Sequence, residues 1–170
     1  MTGAPEFSRL IDVGQADGRQ LRLEASEAER KALAERFGLV RIDRLDAKLA
    51  LERVGQDVSA TGSLTADWVQ SCAVSAEDLP VAIDETLAFR FVPASDGRQP
   101  NEEVEIDAED CDKIEYSGTG IDLGEAVAQS LALAIDPYAT GPDADEARAG
   151  LAPPEDSGPF AALRELKPRG

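Results

Sequence analysis

The sequence predicts an α+β fold, in which a largely antiparallel meander sheet packs with two amphipathic helices and a disordered acidic C-terminal tail follows. In the stretch Val58–Cys72, apolar residues occupy alternate positions, as in a strand with one buried face. A capping pattern and an apolar stripe over residues 27–37 are typical of a helix. After Tyr138 the composition shifts to Gly, Pro, Ala and acidic residues, as in a flexible tether. We therefore expect one domain over 1–138 and a tail over 139–170.

The first residues predict two short strands and the first helix. Residues 6–13 and 19–25 each alternate apolar and polar side chains, and the turn-prone residues between them predict a hairpin. Ser26 with Glu29 forms a capping-box pattern, and Gly38 ends the apolar stripe. The helix over 27–37 is therefore predicted from both of its ends.

The middle of the chain predicts three successive long strands. The apolar face of the first changes over near Asp43–Arg44, which indicates a β-bulge or a bend. The second strand is Val58–Cys72, and the third alternates from Val81 to Pro93. Because short turns join the three strands, we expect a meander at the centre of the fold.

The residues after the meander predict a loop, two brief strands and the second helix. Residues 95–103 contain little that can be buried, and apolar residues on either side of an acidic run suit brief strands. Asp122 and Glu125 stand at the cap and third positions of the second helix, whose apolar row begins at Leu123.

The residue types argue against several functions. The chain has no histidine and two cysteines, Cys72 and Cys111, which leaves too few ligands for a zinc site and removes the usual general base. We expect no metal, no cofactor and no enzymatic activity. The first residues lack a signal-peptide pattern and no apolar run can span a bilayer, so we expect a cytoplasmic protein without a membrane partner.

The net charge of −17 is unevenly distributed. Residues 1–60 carry 10 Lys+Arg against 11 Asp+Glu, whereas residues 61–170 carry 7 against 23. The cations of the first part are the candidates for binding RNA: Arg30, Lys31, Arg36, Arg41, Arg44, Lys48 and Arg53. The candidates for binding a protein partner are an acidic run and three apolar residues on one side of a short C-terminal helix: Asp107, Glu109, Asp110, Asp112, Phe160, Leu163 and Leu166.

Four stretches, taken in order, resemble the YceD-like family: GSLTADWVQSCAVSAEDLP, IDETLAFRFVP, IEYSGTGIDLGEAV and LALAIDPYATGP. The likeness covers most of residues 5–142, and the ending PFAALRELK is similar to that of bacterial members. The resemblance implies a non-enzymatic ribosome-assembly factor that supports the accumulation of large-subunit (23S) ribosomal RNA. It also implies structural roles for the family-motif residues Trp68, Cys72, Asp122, Leu123, Asp136, Pro137 and Tyr138.

This chain departs from the family pattern at two places. The second cysteine of the family's C-x-x-C pair is replaced by Ser75, and Ala139 and Thr140 follow Tyr138 where the family has proline and a basic residue. Three functions stay open. The protein binds precursor RNA or a pre-ribosomal particle, or it is an acidic chaperone or adaptor for a basic ribosomal protein, or it is a carboxylate-dependent hydrolase, although it lacks a nucleophile motif.

Overall fold

The computed structural model describes residues 5–94 and 113–151. Its strands are β1 (Leu10–Asp12), β2 (Gln20–Glu24), β3 (Arg41–Val54), β4 (Asp57–Ser71), β5 (Asp78–Pro93), β6 (Lys113–Tyr116) and β7 (Gly120–Asp122). Its helices are α1 (Glu27–Phe37), α2 (Leu123–Ala134) and α3 (Ala144–Leu151), and a short 3-10 turn covers Val13–Gln15. The predicted α+β class is confirmed.

Some predictions concern residues outside this described part. They are the loop at 95–103, the brief strand after it, and the partner-binding candidates Asp107, Glu109, Asp110, Asp112, Phe160, Leu163 and Leu166. Within the segment predicted to be a tail, the structure contains the helix α3.

Five strands form one sheet in the order β2-β3-β4-β5-β6, and β1 and β7 form a separate pair. The consecutive neighbours β3, β4 and β5 confirm the predicted meander. The register between β3 and β4 shifts between Ile42 and Arg44, which confirms the bulge. Strand β6 runs parallel to β5, which the sequence pattern did not indicate.

The predicted hairpin of the first two strands is wrong. Leu10 of β1 pairs with Asp122 of β7, whereas Leu23 of β2 pairs with Ala47 of β3. The residues between β1 and β2 form a 3-10 turn, in which the Asp12 side chain accepts the Gly14 N–H at 2.8 Å. This turn separates the two strands, and each then pairs with a distant segment of the chain.

The core lies against one face of the five-stranded sheet. The alternating residues of β3 and β4 are buried there together with side chains of α1 and α2: Leu45, Ala47, Leu49, Leu51, Val58, Ala60, Leu64, Ala66, Trp68, Leu33, Leu123, Val127 and Leu131. Trp68 is 1% exposed, and its Nε1 donates to Gln70 Oε1 at 2.9 Å. Gln70 Nε2 in turn donates to the Asp136 carbonyl at 2.7 Å, so the buried indole N–H belongs to a satisfied polar chain.

Local capping fixes the start of α1 and of α2. Ser26 and Glu29 form both halves of the predicted capping box at α1, and Gly38 ends the helix in the left-handed conformation. Asp122 caps α2 by accepting the Glu125 N–H at 3.1 Å. Asp122 also accepts hydrogen bonds from the backbone N–H of Arg9 at 2.8 Å and from a serine hydroxyl, so the cap ties α2 to the first residues.

The chain divides into two compact units. The first comprises residues 1–70 and 80–136, and the second comprises Ser71–Leu79 together with the residues from Pro137 onward. The segment Ser71–Leu79 thus groups with the C-terminal part of the chain. Among the described residues, no helix is long and apolar enough to span a membrane.

Candidate nucleic-acid interface

The polar half of the alternating pattern in β2, β3 and β4 points away from the core. Register pairing aligns these outward residues in two adjacent rows, namely Arg22, Lys48 and Ser63 in one, and Gln20, Ala50 and Thr61 in the other. All of these side chains are exposed except that of Ser63, which is half-buried. Together with the backbone of the intervening residues they line a groove of about 430 Å³, which we call the basic groove.

Two small residues are among those that line the basic groove, Ala50 and Gly62. Ala50 occupies the middle of one row, and Gly62 of β4 approaches β3 very closely. A Cβ atom on Gly62 would lie 2.8 Å from the carbonyl carbon of Lys48 and 3.1 Å from the Cα of Leu49. Only glycine permits this approach of the two strands, and Gly62 is among the residues that line the groove.

The basic groove carries cations and hydroxyl groups. Lys48 forms no ion pair with any described residue, and Arg22 makes only long contacts, 3.5 Å to Asp46 and 3.8 Å to Glu24. No carboxylate is among the described residues that line the groove. Exposed contacts of this length contribute little. The two cations and the hydroxyls of the β4 residues are therefore available to phosphate oxygens.

A third row of outward residues, two of them acidic, lies beside the row that contains Arg22 and Lys48. Glu24, Asp46 and Thr65 align there across the same three strands. Arg44 Nε lies 2.6 Å from Asp46 Oδ2, and this hydrogen bond raises the pKa of Arg44 and lowers the pKa of Asp46. Arg44, one of the predicted RNA-binding residues, is thus engaged with a carboxylate beside the groove.

Two more predicted cations are also held by carboxylates. Arg36 lies 3.0 Å from Glu6 and 2.9 Å from Glu125, and its pKa is raised mainly by the hydrogen bonds to Glu125. Arg41 Nε lies 2.9 Å from Asp43 Oδ1. Cations paired in this way offer less charge to an outside ligand.

The remaining predicted cations lie away from Lys48. Arg30 and Lys31 line a cleft between α1 and the start of β3, where the charged lining residues are three cations and three carboxylates: Arg30, Lys31, Arg41, Glu27, Glu35 and Asp43. Arg30 Nη1 donates to the Ala25 carbonyl at 2.8 Å. Arg53 Nε donates to the Gly55 carbonyl at 2.7 Å and holds the turn between β3 and β4. The structure therefore does not bring the seven candidates together.

Of the residues that line the basic groove, only Lys48 was predicted from the sequence to bind RNA. Arg22 stands between two apolar residues of a short strand, Leu21 and Leu23, and this position predicts only that its side chain points outward. Its place beside Lys48 depends on the register of β2 on β3, which alternation by itself does not define. The places of the Thr61 and Ser63 hydroxyls beside Lys48 depend in the same way on the register of β4 on β3.

In the second unit, a turn is organised around Cys72, which is 4% exposed. Its Sγ accepts backbone N–H groups of Val74, Ser75 and Gly141 at 3.5, 3.3 and 3.4 Å. The Ser75 hydroxyl and these N–H groups lower the pKa of the Cys72 thiol to about 7. The hydroxyl oxygen also lies 3.1 Å from Glu77 Oε1, so its one proton has two possible acceptors.

The second unit uses this sulfur as a hydrogen-bond acceptor within the fold. The Cys72 N–H donates to the Glu77 carbonyl at 2.7 Å, and the Ala73 N–H donates to the Ala139 carbonyl at 3.0 Å. No group of three or more potential metal ligands occurs in the part of the chain that the structure describes. The arrangement around Cys72 is thus a hydrogen-bonded turn.

These features define an α+β protein with an exposed, cation-bearing sheet face. A family model described as "Large ribosomal RNA subunit accumulation protein YceD" matches residues 60–167. The match covers more than half of the chain, and the chain belongs to the YceD family, as the sequence motifs indicated. The family description connects the protein with accumulation of large-subunit ribosomal RNA. No curated protein and no solved structure matches the chain.

The matched region begins after the first long strand. All seven predicted RNA-binding cations precede residue 60, as do Gln20, Arg22 and Ala50 of the basic groove. Thr61 and Ser63 of the groove lie within the matched region. The groove thus combines β4 of the family region with two strands that precede it.

Proposed function

We propose that this protein supports the accumulation of large-subunit ribosomal RNA by binding precursor RNA, or the pre-ribosomal particle that contains it, without catalysing a reaction. The observation that carries the proposal is the basic groove, where Arg22 and Lys48 lie side by side with hydroxyl donors and without a carboxylate among the described lining residues. This set of donors matches the acceptor oxygens of an RNA backbone.

The spacing of the groove suits phosphates. Neighbouring strands in a sheet lie about 4.8 Å apart, so the long side chains of Arg22 and Lys48 can bind one phosphate together or two successive phosphates separately. Ser63 continues the same row on the next strand and adds a hydroxyl donor. Binding would therefore follow the backbone of the RNA across the strands.

The composition of the groove also determines the kind of affinity expected. No aromatic residue is among the described residues that line it, so base stacking does not contribute there. Binding should depend on charge and fall steeply with salt. The net charge of −17 repels phosphate over longer distances and limits non-specific attachment to nucleic acid.

The test is a salt titration of RNA binding by the full chain. Wild-type protein and the double variant Arg22→Gln/Lys48→Gln are compared by fluorescence anisotropy on a labelled transcript of large-subunit ribosomal RNA. If each cation neutralises one phosphate, the slope of log K against log salt falls by about 1.4, that is about 0.7 for each lost contact. Lys31→Gln on α1 is the matched control and should retain the wild-type slope.

The same variants are then tested in cells depleted of the wild-type protein. Lys31→Gln should restore large-subunit particles in a ribosome profile, and the double variant should not. Wild-type affinity and slope in the double variant would contradict the role of the groove. Unchanged large-subunit RNA after depletion would contradict the proposed function as a whole.

A further inference from the structure

We propose that the first unit carries a second binding site, an acid-rimmed apolar pocket that takes one large apolar side chain from a basic polypeptide segment. This site is separate from the basic groove and goes beyond the proposed contact with RNA. Its walls come from β1, β5, β6, β7 and α2, and we call it the acidic pocket: Leu10, Phe91, Ile114, Glu115, Tyr116, Ser117, Gly120, Ile121, Asp122, Glu125, Ala126 and Gln129.

The interior of the acidic pocket is apolar. Phe91 and Ile121 are each 1% exposed, and Ala126 of α2 is also buried. Leu10 stands at the rim with 72% of its surface exposed, although it belongs to a strand paired with β7. A single exposed leucine is ordinary in a protein. Here it extends a buried apolar floor outward to solvent, which makes the pocket continuous with the surface.

The size of the pocket limits its occupant. Its volume is about 220 Å³, below the range of about 300 to 1,000 Å³ that is typical of sites for drug-sized ligands and cofactors. A leucine, isoleucine or phenylalanine side chain is a more suitable occupant, as in protein interfaces where one apolar anchor fills a pocket. The contact would then continue over the rim along the rest of the bound segment.

The charge of the rim selects a cationic segment. The charged residues lining the pocket are Glu115, Asp122 and Glu125, and neither lysine nor arginine is among its described lining residues. Asp122 caps α2 and Glu125 binds Arg36, so both carboxylates also have internal partners. Glu115 on β6 is exposed at the rim and also takes part in an interaction within the protein. These carboxylates repel phosphate and attract Lys or Arg residues that flank an apolar anchor.

The sequence strengthens this preference for a basic partner. The whole chain carries 34 Asp+Glu against 17 Lys+Arg. Encounter with a basic polypeptide is therefore favoured by long-range attraction, and the apolar pocket distinguishes a segment with an anchor from one without.

The experiment separates the apolar contribution from general charge attraction. The full chain is titrated into two fluorescein-labelled peptides that are rich in Lys and Arg and differ only at one central position, Leu in one and Ser in the other. Wild-type protein should bind the Leu peptide about fivefold to tenfold more tightly, because partial burial of one leucine contributes a factor of this order. The variant Leu10→Ser should reduce this preference.

Two control variants complete the design. Leu133→Ser changes an exposed leucine of α2 outside the acidic pocket and should retain the preference for the Leu peptide. Glu115→Gln should lower the affinity for both peptides by a similar factor and leave the preference for the Leu peptide in place. Equal binding of the two peptides by wild-type protein, or an unchanged preference in Leu10→Ser, would overturn the proposal. Unchanged binding of both peptides by Glu115→Gln would contradict the proposed contribution of the acidic rim to peptide binding.

The result of the peptide-binding experiment does not depend on RNA binding. Arg22→Gln/Lys48→Gln alters the basic groove and leaves every residue of the acidic pocket intact. This variant should therefore show the wild-type preference between the peptides. Loss of the preference in this variant would contradict the separation of the two sites.

Discussion

Replacing Gly62 with alanine tests the close approach of β3 and β4. The added Cβ would meet the carbonyl carbon of Lys48 at 2.8 Å and the Cα of Leu49 at 3.1 Å. Both are backbone atoms, so no side-chain rotation can relieve the contact. The two strands must separate locally, in a ladder that continues on both sides from Arg41↔Val69 to Val54↔Asp57.

The expected cost is at the upper end of that measured for overpacking, about 3 kcal/mol of unfolding free energy. This is a large fraction of the roughly 5 to 15 kcal/mol that stabilises a typical protein. Urea denaturation measures it, with the fluorescence of Trp68 as the signal, because Trp68 is the only tryptophan and is 1% exposed. The midpoint should fall without a large change in slope.

A second glycine provides the matched control. Gly55 adopts a φ of 66° in the turn between β3 and β4, and a Cβ there meets no atom within 4 Å. Gly55→Ala should therefore cost only the conformational strain of about 1 to 2 kcal/mol. If Gly62→Ala is no more destabilised than Gly55→Ala, the steric argument for Gly62 is incorrect. Ser63→Ala, next in the chain, should remain close to wild type.

Two further predictions concern polar groups of the first unit. Gln70→Leu removes the acceptor of the buried indole N–H and should lower the unfolding free energy by about 1 to 3 kcal/mol in urea, and a wild-type midpoint would contradict this. The hydrogen bond from Arg9, the largest cause, lowers the pKa of Glu29 from 4.5 to about 2. The stabilisation is therefore present above pH 4.5 and lost towards pH 2. After allowance for solvent screening it is about 1 kcal/mol, and acid titration of Glu29→Gln should lack this loss.

The basic groove shows how far a candidate site can be predicted from sequence. Lys48 was identified because it stands among the cations of the first part of the chain. Arg22 was not, although it is the direct cross-strand neighbour of Lys48. Arg36 and Arg44 were selected by the same criterion as Lys48, and the fold pairs them with carboxylates. Charge type is visible in the sequence, whereas the partner of each charge depends on contacts between distant segments.

The helices and strands can be divided in the same way, into features determined by the local sequence and features decided by contacts between distant segments. The helix α1, the bulge near Arg44 and the long strands of the meander were determined by signals within a few residues, namely capping groups, turns and alternation. The pairing of β1 with β7 and the parallel addition of β6 were decided only in the tertiary structure. A short strand has the same pattern whichever partner it joins. Its place is chosen by where its apolar face can be buried and its backbone hydrogen bonds completed.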